Sequence, residues 1–472
     1  MKAEKKFHLI LLMLLYSSIL FGQEDMNFRC GLNEESMRPV YLRVYENITR
    51  LQQEGKLQMP PEQFIAAGIP TPVRFSWPLR QRVHGQYGYY RISNFTDLDT
   101  SYTVVDGVNV STGIVRDYMG NSWSYDGHQG IDIGIGRFHW EDVKTNEVEV
   151  IAAADGVIVE KHQGEFYRNC SMDVWNGSTA RGNHVVILHN DGSTVSYYMH
   201  MKDGSLTERP VGSTIKTGEY LGVVASSGRS TGPHLHFQIN VGWSHPDSAK
   251  GKFVEPFTGP YNWTTDESLW VNQKDYYEPE IMGMETHQRW YSDADYYLSN
   301  CDSTIDLSSL KNSIPAENWT IGYRVFFRDW VTGGNKTVVV RDPMGSAKHL
   351  WFATNPNNWR SRYDYREFEV GINPMVGTWS LNVSFNNKIY SHYFTVGCIN
   401  NYNLSAPHSN NQGFIAGNNI TSTATIAGSA SNNVEYKADN AVILLPGFTA
   451  ASGSTFLANT DGCDRGRTKI IR

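Results

Sequence analysis

Apolar residues follow a helical spacing near the start of the chain. Between residues 39 and 53 they stand three or four positions apart, at Tyr41, Val44, Tyr45, Ile48 and Leu51. The proline pair at residues 60–61 ends this pattern, and residues 61–65 favour a second short helix. We therefore predict a helical N-terminal segment over residues 23–72, packed on the domain that follows it.

From about residue 75 the pattern changes to short runs of β-branched and aromatic residues cut by glycine. The predicted strands are residues 150–159, 184–188, 194–199, 220–224 and 235–241. The dipeptide Asp191-Gly192 lies between two of them and is a strong hairpin signal. Short strands at close spacing predict an antiparallel sheet or barrel, in a domain of residues 73–258.

The remainder of the chain is also predicted to be β-rich. Residues 259–299 are irregular and predict a linker. Residues 300–399 contain an apolar alternation from Trp379 to Phe385, which favours an immunoglobulin-like β-sandwich. Residues 400–472 are poor in charge and end in three short β-like runs, which predict a small stacked β module. The predicted fold class is therefore mainly β.

The N-terminus has the pattern of a signal peptide. Lys2, Lys5 and Lys6 precede an apolar run over residues 7–20, and Gly22 precedes a polar stretch. The run is shorter than the ~20 residues that span a bilayer, and no later segment is long and apolar enough to do so. We expect residues 1–22 to be removed and the protein to be secreted, or to lie in the periplasm or at the cell surface.

Charge and cysteine content narrow the class of protein further. The formal net charge is -7, which gives no electrostatic case for binding nucleic acid. The five cysteines are widely spaced without a Cys-x-x-Cys pair, so a thiolate metal site is not expected. An odd number in an exported chain leaves at least one cysteine free or paired outside the chain. A disulfide between Cys301 and Cys398 is possible, and the connectivity stays open.

Two sequence clusters carry residues that bind metal ions. Residues 127–134 read Gly-His-Gln-Gly-Ile-Asp-Ile-Gly, and His128 and Asp132 offer a nitrogen and an oxygen, which Zn²⁺ accepts. In the run that follows Pro233, His234 and His236 stand two apart on a predicted strand, so both rings point to one face. One of them can bind a metal while the other stands beside it.

A third cluster, residues 197–200, places His200 at the end of a predicted strand. Three protein ligands with a fourth position open to water are typical of a catalytic zinc, because a structural site uses four ligands. A bound zinc ion lowers the pKa of the water that it holds, and it polarises a carbonyl oxygen. The chain has no His-Glu-x-x-His helix to supply a glutamate base. His200 and His234 can fill the roles of general base and oxyanion donor, in either order.

These residues resemble the lysostaphin-type (LytM-like) zinc metallopeptidases. The resemblance runs from about Trp77 to Ile239, in five blocks that keep the family order: residues 128–134, 152–157, 182–189, 198–200 and 227–237. It implies a peptidase domain with zinc on His128, Asp132 and His236 and with His200 and His234 catalytic. It also implies hydrolysis of peptide bonds in peptidoglycan stems or cross-bridges, in a groove across an antiparallel sheet.

The chain departs from the compact family pattern in two loops. Residues 136–148 and 161–182 are longer than in that pattern, and the second loop holds Cys170 and Trp175. Both loops would form walls of the groove and so bear on the substrate. His162, His184 and His189 are nearby histidines that we do not assign to the site, and His189 matches a family position interpreted as structural.

Alternatives remain for the function. Family members that have lost a metal ligand act as binding domains, but no ligand is missing here. The chain is alternatively a secreted protease of Gly-rich extracellular proteins, or a wall-binding or adhesive protein without catalysis. Residues 400–472 resemble C-terminal modules of secreted Bacteroidetes proteins, which implies a role in export or surface display. Association with the cell surface or wall through the C-terminal modules is a further expectation.

Overall fold

The computed structural model of the protein divides into two compact units. The first comprises Met26–Glu278 with Asp293–Ile305, and the second comprises Pro279–Ser292 and Asp306–Arg472 with Met1–Asp25. The structure describes these residues: 22–24, 32, 34–57, 73–105, 108–136, 139–170, 181–243, 250–287, 313–314, 320–370, 375–397, 399–409, 411–428, 432–460 and 462. The predicted signal peptide up to residue 21 and the predicted helix at residues 61–65 lie outside them.

Strand β1, Gly22–Glu24, belongs to the second unit. The first unit contains two helices and thirteen strands among its described residues. They are α1 Glu34–Gln53, β2 Leu79–Gln81, β3 Tyr90–Asn94, β4 Tyr102–Val105, β5 Val108–Ser111, β6 Ile131–Ile135, α2 His139–Thr145, β7 Val148–Ile151, β8 Gly156–His162, β9 Asn183–His189, β10 Val195–Met201, β11 Thr214–Ile215, β12 Tyr220–Val223, β13 His234–Trp243 and β14 Lys250–Val254. The predicted strands at residues 184–188, 194–199, 220–224 and 235–241 are confirmed, but the strand predicted at residues 150–159 is divided between β7 and β8, which belong to different sheets.

A large antiparallel sheet with strand order β11-β8-β9-β10-β13-β6-β3 forms the centre of this unit, and β14 pairs with β13. Strands β12, β7 and β2 form a second, smaller sheet. The main core lies between the two sheets and includes Ile187, Tyr198 and Phe237 from the large sheet with Val150 and Leu221 from the small one. The opposite face of the large sheet is therefore available for other elements.

Helix α1 covers part of that opposite face. Val44, Ile48 and Leu51 are buried on one side of the helix and pack in a cluster with Tyr197 and Met199 of β10. The helical spacing predicted from the sequence is thus confirmed. Because residues three and four apart share a face of a helix, this side is apolar while its other side meets water.

The segment predicted as a linker differs in the structure. Leu269 and Trp270 are buried in the core of the first unit, where Leu269 O accepts a hydrogen bond of 2.7 Å from Phe75 N. The residues that follow Pro279 form a strand of the second unit. The buried Leu269 and Trp270 therefore belong to the core of the first unit, which the irregular spacing of this segment did not predict.

The second unit is built from strands alone in its described residues, namely β1 and fifteen further strands. They are β15 Glu280–His287, β16 Ser313–Ile314, β17 Thr320–Trp330, β18 Asn335–Arg341, β19 Ala347–Thr354, β20 Trp359–Glu369, β21 Gly377–Phe385, β22 Lys388–Val396, β23 Ile399–Leu404, β24 Gln412–Ser422, β25 Thr425–Ile426, β26 Asn433–Ala438, β27 Ala441–Leu444, β28 Thr449–Ala450 and β29 Thr455–Asn459.

Two sheets of this unit pack face to face as a sandwich. Their strand orders are β1-β20-β17-β15 and β16-β22-β21-β18-β19. Phe327 of the first sheet contacts Phe385 of the second, with ring centroids 5.0 Å apart. The alternation from Trp379 to Phe385 is buried at every second residue, as the sequence predicts.

The C-terminal strands stack in parallel. Gln412 pairs with Val434, and Val434 pairs with Phe456, so partner residues stand 22 positions apart along the chain. The same offset joins β24 to β27, while β23 and β24 are offset by 17 or 18 residues, so successive turns of the chain stack on one another in parallel. The whole fold is mainly β, as predicted.

One of the five cysteines lies in the described part of the chain. Cys170 is disulfide-bonded, while Cys30, Cys301, Cys398 and Cys463, and with them the predicted Cys301–Cys398 pair, lie outside the described residues. Within the described part of the chain, no helix is both long and apolar enough to cross a membrane.

Candidate active site

Strands β6 and β13 carry two of the predicted metal ligands. Asp132 and His236 are direct partners in the antiparallel register, so their side chains lie on the same face of the sheet. His236 Nδ1 lies 3.0 Å from Asp132 Oδ1. This face is the one that α1 partly covers, because Met199, which packs against α1, is the partner of His236 on the other side.

The third predicted ligand, His128, comes from the turn before β6. Asp97 holds this turn in place, since its Oδ2 accepts a hydrogen bond from Gly127 N and its own backbone N donates to His128 O. His128 Nε2 is 3.1 Å from Asp132 Oδ1 and 3.2 Å from His236 Nδ1. Three potential ligand atoms therefore converge from a turn and two strands.

The hydrogen bonds around the two imidazoles leave the converging nitrogens without a proton. His128 Nδ1 lies 2.8 Å from Phe95 O, an acceptor only, so this nitrogen carries the proton and Nε2 carries the lone pair. His236 Nε2 lies 3.3 Å from Gln238 Oε1, which assigns its proton to Nε2 and its lone pair to Nδ1. Both lone pairs point to the same place.

Asp132 is ionised in this environment. Loss of water on burial would raise the pKa of its carboxyl, but the electrostatic field of the neighbouring His128 and His234 imidazoles holds the pKa well below its ordinary value. Asn94 Nδ2 and Tyr125 Oη donate to Oδ2, at 3.3 Å and 3.2 Å. Oδ1 is thus the oxygen left facing the two histidines.

These atoms fit a zinc ion. Zinc bonds of ~2.0–2.1 Å in a tetrahedron place neighbouring ligand atoms roughly 3.3 Å apart. The separations of 3.0, 3.1 and 3.2 Å between the three atoms are close to that value. Two neutral imidazoles and one carboxylate also form a donor set typical of zinc with an open fourth position.

Gly130 makes this convergence possible. A Cβ atom at this position would lie 2.8 Å from the ring atoms of His236 and 2.8 Å from Phe237 O. Any other residue would push against a backbone atom and a ligand ring at once. Gly130 does not have a positive φ, so the backbone conformation does not require a glycine here. The requirement is instead for the close packing of the His236 ring and Phe237 O against this position.

His200 reaches the same face through a β-bulge in β10. The register with β9 shifts between Tyr198 and Met201, and both of these residues face the core between the sheets. One extra residue is thereby accommodated, and His200 adopts a φ of 66°, which is rare for a residue with a Cβ. Such strain is found mostly at functional sites.

His234 lies next to His200 and beside the ligand cluster. The ring centroids of His200 and His234 are 4.7 Å apart, and His234 Nε2 is 3.5 Å from Asp132 Oδ1. His200 Nδ1 donates to Ser227 O at 2.7 Å, and His234 Nδ1 donates to Gly232 O at 2.8 Å. In their neutral forms, both imidazoles therefore present the lone pair of Nε2.

The structure thus brings all five predicted site residues to one face, each at most 1% exposed. The other nearby histidines have separate partners. His189 bonds to Asp155 O and Ser196 Oγ, and His162 contacts Glu165 at 2.8 Å. Burial lowers the pKa of His184 to about 3, so this residue stays neutral.

Sequence reasoning missed the residues that orient the ligands. They are Asn94 and Tyr125 at Asp132, Gln238 at His236, and the carbonyl of Phe95 at His128. Gln238 alone had a usable signal, because it stands two residues after His236 on a strand and so shares its face. The others come from distant or irregular segments.

Both long loops lie at the end of the sheet that carries His200 and His234. The first follows β6 and contains α2, while the second joins β8 to β9, whose first residue, Asn183, pairs with Met201. Arg168 of the second loop stacks on Trp140 of α2, 4.7 Å from the ring centroid. Trp175 lies outside the described residues.

The first unit is thus an antiparallel β domain whose sheet face carries a three-residue centre suited to a metal ion. Residues 126–256 match the model of peptidase family M23. This match encloses all five site residues. Residues 126–256 are therefore similar to the peptidases of family M23, and this similarity supports the lysostaphin-type resemblance of the sequence.

Curated relatives are similar to this chain over parts of their length. It is 23% identical to the glycyl-glycine endopeptidase ALE-1 of Staphylococcus capitis over 201 residues, 42% of this chain and 49% of that protein. It is 40% identical to lysostaphin of Staphylococcus simulans over 60 residues, 13% of this chain and 12% of that protein. It is 29% identical to the peptidoglycan DD-endopeptidase ShyC of Vibrio cholerae over 94 residues, 20% of this chain and 18% of that protein. The chain thus spans about half or less of these relatives.

Proposed function

We propose that this protein is an exported zinc metallo-endopeptidase that hydrolyses peptide bonds of peptidoglycan stems or cross-bridges. The observation that carries the proposal is the convergence of His128 Nε2, Asp132 Oδ1 and His236 Nδ1 within 3.2 Å of one another. In this proposal these three residues hold the zinc, which when bound supplies a Lewis acid and a more acidic water.

His200 and His234 are the proposed catalytic residues. One imidazole accepts the proton of the attacking water at its Nε2, and the other donates to the oxyanion that forms at the scissile carbonyl. Because both Nδ1 atoms already donate to backbone carbonyls, the imidazole that serves the oxyanion carries protons on both nitrogens. The leaving amine then takes up the proton that the first imidazole received from the water, as the peptide bond breaks.

The proposed substrate rests on relatives rather than on contacts. The names of ShyC and ALE-1 give a peptidoglycan DD-endopeptidase and a glycyl-glycine endopeptidase. Both names describe cleavage between amino acids, and that of ShyC specifies peptidoglycan, so a wall peptide is the favoured substrate here. The glycyl-glycine specificity also supports the second candidate, a protease of Gly-rich extracellular proteins.

Export is supported by chemistry as well as by the predicted signal peptide. Cys170 is disulfide-bonded, and structural disulfides persist in oxidising compartments such as the periplasm or the outside of the cell. Association with the wall or cell surface through the second unit is part of the proposal. A wall-binding protein without catalysis is the alternative that the test must exclude.

The test uses the mature full-length protein, purified with zinc. It is incubated with peptidoglycan and with Gly-rich peptides, with and without a chelator, and released amines are measured. We expect cleavage of wall peptides that the chelator abolishes. Cleavage that survives the chelator, or no cleavage of any substrate by the zinc-loaded protein, would overturn the proposal. Cleavage of the Gly-rich peptides alone would favour the second candidate.

Two variants test the assigned roles in the same assay. His236→Ala should lose zinc, since one of three ligands is gone. His234→Ala should keep zinc and lose turnover, because it removes a catalytic group beside the metal. If His236→Ala retains stoichiometric zinc after dialysis, the ligand assignment is wrong.

A further inference from the structure

Gln238 connects the metal-binding face to helix α1. It lies on β13 two residues after His236, on the same face, and is 1% exposed. Its neighbour across the register on β10 is Tyr197, whose ring contacts Tyr41 of α1 at 5.8 Å between centroids. The amide of Gln238 is therefore enclosed between the helix and the sheet.

Two acceptors fix the direction of this amide. Gln238 Nε2 donates to Asn240 Oδ1 at 2.8 Å and to Tyr41 Oη at 3.3 Å. Turning the amide over would place its carbonyl oxygen against the amide oxygen of Asn240, where neither atom can donate. Oε1 is consequently held toward His236 Nε2, at 3.3 Å.

The direction of the amide decides which nitrogen of His236 binds metal. An acceptor at Nε2 requires a proton there, which leaves the lone pair on Nδ1, facing Asp132 Oδ1 and His128 Nε2. For His128 the equivalent acceptor is a backbone carbonyl, which no side-chain substitution removes. For His236 the acceptor is the side chain of Gln238, and the orientation of that side chain depends on α1, a helix distant in sequence.

Helix α1 is well anchored for this task. Arg43 pairs with the buried carboxylate of Glu160 on β8 at 3.2 Å, and Asn47 donates to the other oxygen of Glu160 at 2.8 Å. Val44 and Leu51 are completely buried against the same sheet. The helix therefore holds Tyr41 at a fixed height above Gln238.

We propose that Gln238 is a positioning residue that holds His236 in the metal-binding tautomer, and that α1, which lies outside the family match, takes part through Tyr41. The N-terminal helix is then a component of the metal site. The proposal rests on the proposed function only in taking zinc as the metal. It concerns affinity for the ion rather than turnover.

The experiment measures the zinc dissociation constant of the full-length protein by chelator competition, and the absorption spectrum of the Co²⁺-substituted protein. We expect Gln238→Leu to weaken zinc binding about 10- to 100-fold, the range found when a partner of a metal-binding histidine is removed. Gln238→Glu keeps an acceptor at His236 and should retain most of the affinity. Tyr41→Phe should weaken binding less than Gln238→Leu.

A double-mutant cycle separates positioning from general damage. Because Tyr41 acts through Gln238, Tyr41→Phe should cause no further weakening in the Gln238→Leu background. Tyr197→Phe is the matched control, since it removes a buried hydroxyl of the same cluster that has no hydrogen-bond partner within the described residues. We expect it to leave zinc affinity and the Co²⁺ spectrum unchanged.

Three outcomes would overturn the proposal. They are wild-type zinc affinity in Gln238→Leu, equal weakening by Tyr41→Phe in both backgrounds, and weakening by Tyr197→Phe as large as that by Tyr41→Phe. If Gln238→Leu does not fold, Gln238→Glu and Tyr41→Phe still give the comparison. A protein that binds zinc as expected but cleaves no peptide would refute the proposed function and leave this inference standing.

Discussion

Each site histidine has one ring nitrogen committed to an oxygen of the surrounding chain. For His128, His200 and His234 that oxygen is a backbone carbonyl, and for His236 it is a side-chain amide. Backbone acceptors are insensitive to substitution at their own position, so three of these ring orientations are fixed by the path of the chain. His236 is the exception, and its orientation is the easiest to change by mutation.

Gly130→Ala tests the close packing beneath the ligands. The added Cβ would lie 2.8 Å from the His236 ring, so the ring must shift from its present place beside Asp132 and His128. We expect weaker zinc binding, measured by chelator competition. Gly85→Ala is the matched control, because nothing lies within 4 Å of its added Cβ. Equal zinc affinity in the two variants would show that the ligand cluster tolerates the movement.

His189 gives a prediction about stability and pH. Burial lowers its pKa from 6.5 to about 4, while hydrogen bonding to Asp155 O opposes this only partly. Between these two values the unfolded chain binds a proton that the folded chain does not, so the free energy of unfolding decreases as the pH falls from 6.5 toward 4.

His189→Gln removes this titrating group and should make that decrease shallower. The difference in slope is at most about 1.4 kcal/mol per pH unit, the value for one proton. Urea unfolding of both proteins across the pH interval provides the measurement. Parallel curves for the two proteins would mean that the imidazole of His189 is protonated equally in the folded and unfolded chains.

At the scale of elements, the bulge in β10 determines what the strand can present. In a regular strand His200 would lie on the same face as Tyr198, toward the core between the sheets. The extra residue before Met201 turns the His200 side chain to the opposite face of the sheet, and it requires His200 to adopt a positive φ. A single irregularity thus adds a second histidine to a face that already holds His234.

Helix α1 should contribute to the stability of the first unit as a packed element. Leu51 is completely buried against the sheet, and Leu51→Ala should lower the free energy of unfolding by about 2–5 kcal/mol, the range for such cavities. Arg50→Ala, on the exposed side with its ion pair to Glu54, should cost at most about 1 kcal/mol. Similar losses in both variants, measured by urea unfolding, would argue that α1 detaches before the sheet unfolds.

At the scale of the whole molecule, we expect the first unit to carry the hydrolysis and the second unit to bind the wall. A chain of residues 26–278 contains both sheets of the first unit, α1 and all five site residues. We expect it to fold alone and to hydrolyse soluble wall peptides at the rate of the full-length protein. Binding to insoluble peptidoglycan, measured by sedimentation, should be weaker, because the second unit is missing.

The control for this experiment is the second unit produced alone. Residues 279–472 alone should sediment with peptidoglycan and show no hydrolysis. If the first unit binds the insoluble wall as tightly as the full-length protein, the second unit has no targeting role. If it loses hydrolysis of soluble peptides while remaining folded, the second unit contributes to the site.

The sequence by itself determined the features that depend on residues close together in the chain. The spacing of apolar residues predicted α1, the strands around Asp191-Gly192 and the mainly β fold. The motifs at residues 128–132 and 234–236 singled out His128, Asp132, His234 and His236, which the structure brings together on one face of the sheet. These succeed because helical and strand periodicity and short-range ligand spacing are local properties.

Only the tertiary structure decided what depends on contacts between distant segments. It placed the supposed linker around Trp270 in the core of one unit, gave β10 its bulge at His200, and stacked the C-terminal strands in parallel. It also joined Tyr41 to Gln238 and thereby to His236. Register shifts and hydrogen bonds across many residues depend on how whole elements pack, and no local pattern records that packing.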